Sequence, residues 1–394
     1  MMDLLYLAWR YLSYYKAKTA VLVAATAVIV YLPVGLNIVV GRSAQELTAR
    51  AEVTPILVGA KGSPLELVLN SLYFESDTPD ALPYEQVTRV ETSGLAHAIP
   101  LNIRFRAGRS PIVGTSLDYF EYRGLKLDRG RSIAMLGECV LGCKAAAIAG
   151  VEPGGYVLSS PESVFDIAGV YPLRMKVVGV LKPSGTPDDR AVFADVKTTR
   201  VIEGLAHGHQ DLRRPEATDG VLRVEGNNVI GNASVVQYNE ITAENVVSFH
   251  FHGDPATFPV TSVIAIPKDE KSSALLQGRY LGPDEPVQMV LPRDVMKSLL
   301  NTVFTVRSYI LAAMIIVGIA TLATMALVFV LSLQLRRREM ETMAKIGGAK
   351  FRIAGLVATE IVGVVTAGVL FSAALSVLTS WSATAVTRML VQLS

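Results

Sequence analysis

The chain has 394 residues, 51% of them hydrophobic and only 18% charged, and its 37 Lys and Arg nearly cancel its 35 Asp and Glu to leave a net charge of +2. So even a balance, with its one dense basic cluster flanking an apolar run, excludes a nucleic-acid partner, and two cysteines are too few for a disulfide scaffold. Low charge beside that hydrophobic share points to bilayer-spanning segments.

Residues 1–18 place Leu5, Ala8, Trp9 and Leu12 on one helical face with Arg10 turned away, the pattern of an amphipathic elbow helix lying in a membrane interface. Residues 19–40 follow as an almost charge-free run of about 22 residues, longer than the apolar core of a cleaved signal peptide. It leads into Gly41-Arg42-Ser43-Ala44 without a cleavage pattern, so it reads as a retained first span, with Pro33 placed to kink it.

Residues 41–308 have the mixed composition of a soluble α+β domain. Short β-rich runs bounded by Gly, Pro and Asp recur at 112–114, 139–142, 156–158, 175–181, 221–224 and 260–266. Helical patterns interleave at 63–72, in the alanine-rich 144–150 and at 293–304, the last leading into the second span. Helical stalks are expected to continue the first and second spans outward, and 204–231, rich in charge and turn formers, reads as a linker or lobe boundary.

Cys139 and Cys143 stand four apart in this domain, open to a small disulfide loop or to two buried thiols. Four of the five histidines form two H-x-H pairs, His207 with His209 and His250 with His252. On a strand, residues i and i+2 share a face, so each pair can chelate one ion and two pairs together satisfy tetrahedral zinc, or bind copper. Solvent-facing loop histidines are the alternative. The 250–252 pair is the better candidate, because it follows a strand-like Val246-Val247 run.

Residues 309–335 and 353–378 are the second and third apolar spans, joined by a link at 336–352 that carries Arg336, Arg337, Arg338, Lys345, Lys350 and Arg352. Arg10, Lys16 and Lys18 precede the first span. Positive-inside bias therefore places the N-terminus and the link in the cytoplasm, and the large domain and the 379–394 tail outside. The tail is expected not to cross again, and Trp381 marks the outer interface. Glu360 lies roughly 12 Å into the third span, where a carboxylate needs a partner such as Arg10 or Lys18, or must snorkel to the headgroups. The chain carries no GxxxxGK[ST] phosphate loop, HExxH or GxSxG element. A non-catalytic membrane subunit is the expectation, with any energy source on another chain.

Arg336-Arg337-Arg338-Glu339-Met340, then Lys345-Ile346-Gly347-Gly348-Ala349-Lys350, then Glu360 resembles the signature of the MacB/FtsX-type ABC transporter permease family. Leu7-Ala8-Trp9-Arg10-Tyr11-Leu12 is similar to that family's N-terminal helix. Gly114-Thr115 with Asp118-Tyr119-Phe120, Gly130-Arg131 and Val177-Val178-Gly179-Val180-Leu181 resemble its periplasmic core domain, and Gly59 to Leu65 one branch of its permeases. The resemblance implies a homodimeric, multi-pass subunit of a bacterial inner membrane, with a MacB-like periplasmic domain and no cofactor of its own. ATP and magnesium would be held by a separate cytoplasmic ABC ATPase subunit, and a periplasmic or outer-membrane partner fits the same pattern. The family usually has four spans where this chain shows three.

Within the motif, Arg337, Arg338, Glu339, Met340 and Met343 would present a charged and apolar helix tip to a groove on the ATPase, ended by Gly347 and Gly348. Anchoring of the arginines to headgroups is the plainer reading. Mechanotransmission for export or extraction is the leading function. An FtsX-like regulator of a periplasmic cell-wall hydrolase, and a metal-binding membrane receptor, are the alternatives.

Overall fold

A computed structural model describes residues 2–160, 172–209, 221–225, 228–231, 238–345 and 350–393. The chain divides into two units, 1–49 with 297–394, and 50–296. The second unit is narrower than the expected 41–308, and the helices Lys16–Glu52 and Pro292–Leu335 run well past their apolar stretches.

The first unit is helical. A short helix, Met2–Tyr14, precedes the long Lys16–Glu52, which continues through Pro33. Pro292–Leu335, the short Arg337–Lys345 and the long Lys350–Leu393 complete it. Three of these helices are long and apolar enough to cross a membrane. The third runs on through the segment read above as a tail. In the short N-terminal helix the expected apolar face is divided: Ala8 is buried, while Trp9 is 69% exposed.

Small residues let the spans approach, as packing between apolar helices requires where lipid offers no hydrophobic gain. A Cβ on Gly368 would stand 2.5 Å from Thr26 Cβ, and one on Gly363 3.3 Å from a Leu12 methyl. Leu22, Met325 and Val364 form the buried centre of the bundle. Arg42 Nη2 donates to Ser380 Oγ at 2.8 Å, and Tyr31 Oη and Thr379 Oγ1 lie 2.7 Å apart, so the third helix is bonded to the first beyond the apolar centre.

The second unit is built on a mixed sheet of 11 strands. Along its main path the order is Val287–Val290, Ile56–Ala60, Ser262–Pro267, Ala96–Asn102, Ser110–Thr115, Val192–Asp195, Glu138–Leu141, Arg174–Leu181 and Leu127–Gly130. Two pairings are parallel, Val192–Asp195 with Ser110–Thr115 and Glu138–Leu141 with Arg174–Leu181. β-Branched residues dominate these strands, and alternation sends successive side chains to opposite faces. Val192 and Ala194 enter one core with Ile112, Leu141, Met175 and Val177, whereas Phe193 faces away onto Tyr119 and Phe120. A second core gathers Ile56, Val58, Val87, Val90, Val263 and Leu276 beneath the helices Glu85–Thr92 and Glu270–Arg279.

Most of the expected elements are present. The helix expected over 63–72 is an α-turn, Pro64–Val68, capped by Ser63 and followed by a π-turn, Leu69–Tyr73. The expected 260–266 strand is two, Pro259–Val260 and Ser262–Pro267. Val246-Val247 is not a strand. It lies in a single 3-10 turn, Val246–Ser248, and the strand Phe249–Phe251 begins at the next residue. Of 204–231, the strand Ala206–Gly208 and the hairpin Val221–Glu225 with Asn228–Gly231 are regular elements, and 210–220 and 226–227 fall outside the described residues.

Candidate functional site: the interhelical link, the Arg50 clamp and the histidine ribbon

The second long helix ends at Leu335, and a new short helix starts at Arg337. Arg336, between them, points its guanidinium back into the bundle. Its Nη1 donates to Glu360 Oε1 at 3.2 Å, and its plane lies over the Tyr11 ring at 3.9 Å. Lys18 Nζ donates to Ser332 Oγ at 2.5 Å and stands 5.7 Å and 5.6 Å from the rings of Tyr11 and Phe329. The N-terminal helix and all three spans therefore meet in one polar cluster, in which Glu360 is 4% exposed.

Glu360 is thus paired, though not as expected. Its bonding partner is Arg336, while Arg10 is exposed and Lys18 is committed to Ser332. The reason is position and shape: Arg336 leaves the second helix where that helix meets the third, and a planar guanidinium can serve a carboxylate and an aromatic face at once.

Past this cluster, Arg337 Nε donates to Glu341 Oε1 at 3.0 Å across one exposed helical turn, and Arg338 is exposed. Glu339, Met340 and Met343 are on the same short helix. Gly347 and Gly348 lie outside the described residues.

In the soluble unit, the last turn of the Lys16–Glu52 helix carries a clamp that the sequence reading missed. Arg50 Nη1 and Nη2 donate to the two carboxylate oxygens of Asp188 at 2.5 Å and 2.8 Å, and Nη2 also donates to Tyr119 Oη at 2.6 Å. Tyr119 Oη donates to Asp188 Oδ1 at 2.8 Å, and Thr186 Oγ1 to Oδ2 at 2.8 Å. Burial pushes the Asp188 carboxyl up, but the guanidinium and these donors outweigh it and hold the group below its ordinary range. Arg123 and Tyr122 brace the same turn through Thr54 Oγ1 at 3.0 Å and the Val53 carbonyl at 2.7 Å. Gly142 has no room for a side chain, since a Cβ would stand 2.2 Å from the Asp188 carbonyl. Asp118-Tyr119 in the resemblance above was the available signal.

The two histidine pairs meet. Ala206–Gly208 pairs antiparallel with Phe249–Phe251 in the register Ala206 to Phe251, His207 to His250 and Gly208 to Phe249. Gly208 and Phe249 share one face of this ribbon. A Cβ on Gly208 would lie 2.5 Å from the Phe249 ring, so the ring packs flat over the glycine and joins the first core. Alternation leaves the histidines on the other face. His207 lies 4.8 Å from His250 and 4.7 Å from His252, ring centre to ring centre, and His209 lies 5.3 Å from His250. Burial, then the neighbouring imidazoles, hold His207 below its ordinary value. Asp254, which follows in sequence, caps the turn Pro255–Thr257.

Cys139 and Cys143 are free thiols, Cys139 buried in its strand and pushed up by that burial.

No protein-family model matches this chain, and no curated protein matches it. Among solved structures it is similar to the periplasmic region of MacB from Actinobacillus actinomycetemcomitans, at 14% identity over 63% of this chain and 93% of that one, with a TM-score of 0.32. It is also similar to the extracellular domain of the noncanonic ABC-type transporter YknZ from Gram-positive bacteria, at 13% identity over 60% of this chain and 98% of that one, with a TM-score of 0.32.

Proposed function

We propose that the chain is a permease or mechanotransmission subunit of a MacB/FtsX-type ABC transporter, working as a homodimer with a separate cytoplasmic ATPase. The observation that carries this reading is the Arg336 cluster: the residue at the foot of the short link helix is bonded to Glu360 of the third span and stacked on Tyr11 of the N-terminal helix. A push on that helix would be shared by all three spans rather than absorbed by a loop. The positive link is expected inside the cell, so the Arg50–Met296 domain would face outward. The Lys16–Glu52 helix is continuous up to the Arg50 clamp, which supports its use as a lever.

Co-expression of the chain with ABC ATPase subunits from the same genome, followed by reconstitution in lipid nanodiscs, tests the reading. The complex should co-purify, and Glu339→Lys should lower its ATPase activity by about tenfold or more, equivalent to about 1.4 kcal/mol. Activity indifferent to that reversal, or no association with any nucleotide-binding subunit, would refute it.

A further inference from the structure

The geometry points to a zinc site on the histidine face of the ribbon, with His207, His209 and His250 as three ligands and His252 as the fourth. The site is independent of the transporter reading, since it lies wholly within the soluble unit.

Three observations carry it. The ligand atoms of His207, His209 and His250 all lie within 4.8 Å of one another. Tetrahedral zinc with bonds of about 2.0–2.1 Å needs its nitrogens about 3.3 Å apart, so a shift of about an ångström, by the half-buried His207 and His209 rings and the exposed His250 ring, closes the set. His252 is outside that group of three but adjacent to it, its ring 4.7 Å from both His207 and His250, and it supplies the fourth nitrogen once its ring turns toward the ion. The Ser248 carbonyl lies 3.1 Å from His250 Nδ1. A carbonyl only accepts, so Nδ1 carries the proton and Nε2 keeps its lone pair, the orientation that a backbone carbonyl commonly gives a metal-bound histidine.

The chemistry selects the ion. Four neutral imidazoles offer no oxygen, which disfavours magnesium and calcium, and no thiolate, which disfavours cuprous copper. Cupric copper would prefer a tetragonal arrangement, whereas zinc has no geometric preference beyond the tetrahedron that two facing H-x-H pairs can form. The ribbon is rigid where it must be: Phe249 packs over Gly208 on the reverse side, and the His252 N–H donates to the Leu205 carbonyl at 2.9 Å. His250 and His252 are exposed, so an ion would exchange with solvent, as suits a loading or sensing site rather than a structural one.

The test uses the full chain in detergent, purified with a tag that contains no histidine and stripped of metal. Zinc is titrated in competition with a chromophoric chelator, and cobalt(II) serves as the spectroscopic probe. One zinc per chain is expected, together with the strong visible absorption of tetrahedral cobalt. His250→Asn and His207→Asn should each weaken zinc binding by at least about 100-fold, because loss of a direct ligand costs no less than loss of a second-shell partner. His97→Asn should change nothing, because His97 sits with Glu91 and Asp118 instead. Circular dichroism of each variant checks that the fold persists. No zinc bound by the parent protein, binding unaltered in a folded His250→Asn, or cobalt spectra of octahedral strength would each overturn the site. Tetragonal copper binding without zinc binding would overturn it as well.

Discussion

Arg336 and Glu360 stand 24 positions apart and are joined at 3.2 Å, so the foot of the second span is tied to the third by an ion pair whose guanidinium also covers the Tyr11 ring. An arginine at the end of an apolar helix ordinarily snorkels into headgroups. This one turns inward, and the carboxylate that would be costly alone in the bilayer is satisfied.

Removing both members should cost less than the two single losses added together. Arg336→Ala strands Glu360, at a cost of about 3–5 kcal/mol, while the double variant Arg336→Ala with Glu360→Ala should be less destabilised than the sum of the two single variants. Thermal unfolding of the purified protein in detergent measures both. Additive losses would mean that the two groups do not interact.

The clamp in the soluble unit makes a parallel case. Asp188→Ala leaves the Arg50 guanidinium buried without its carboxylate and should lower stability by about 3–5 kcal/mol. Tyr119→Phe removes one hydroxyl from the network and should cost about 1–2 kcal/mol. Urea denaturation followed by intrinsic fluorescence distinguishes them through their midpoints.

Acid should loosen the soluble unit. Asp188 and Glu138 both titrate below their ordinary values of 3.8 and 4.5. Glu138 does so through its hydrogen bonds from Arg131, against burial, and those from the Ala134 and Met135 amides. The unfolded chain therefore takes up protons first as pH falls. The stability these groups contribute is complete above their ordinary values and is lost as pH drops through the depressed ones. The urea midpoint should stay level between about pH 7 and pH 5.5 for these two groups and decline below about pH 4. Asp188→Asn should flatten part of that decline.

Close approach in the bundle is also testable. Gly368→Val would drive a side chain into Thr26, whose Cβ already lies 2.5 Å from where a Cβ would stand. Helix separation should follow, at a cost of about 1–3 kcal/mol. Engineered cysteine pairs along the first and third spans should cross-link less efficiently in the variant than in the parent.

The spans were legible because a bilayer imposes length and apolarity over whole segments, a signal that does not depend on partners. Six β-branched runs between turn formers were legible as strands, whereas Ile56–Ala60, Ala96–Asn102, Val192–Asp195 and Val287–Val290, all in the main sheet, were not. What local pattern misplaced was Val246-Val247, where β-branching suggested a strand and the chain instead turns once before Phe249. Pairings between distant residues left no such trace. The H-x-H spacing announced two chelating pairs, but only the register of His207 against His250 shows that they share a face. Gly208 was a clue in plain view, since a glycine between two histidines leaves space for a ring on the opposite face. Arg50 looked like one more charge on a stalk, because nothing nearby in sequence identifies Asp188 as its partner. Glu360 was read as needing either a partner cation or a path to the headgroups, and which helix ends meet decides for Arg336.

The sidedness of the link tests the central claim most directly. In a background with Cys139 and Cys143 replaced by serine, a single cysteine at Glu341, an exposed position of the link helix, is treated with a membrane-impermeant thiol reagent. The account predicts no labelling in intact cells and full labelling after lysis. Labelling of intact cells would place the link outside, beyond reach of any cytoplasmic ATPase, and would contradict the account.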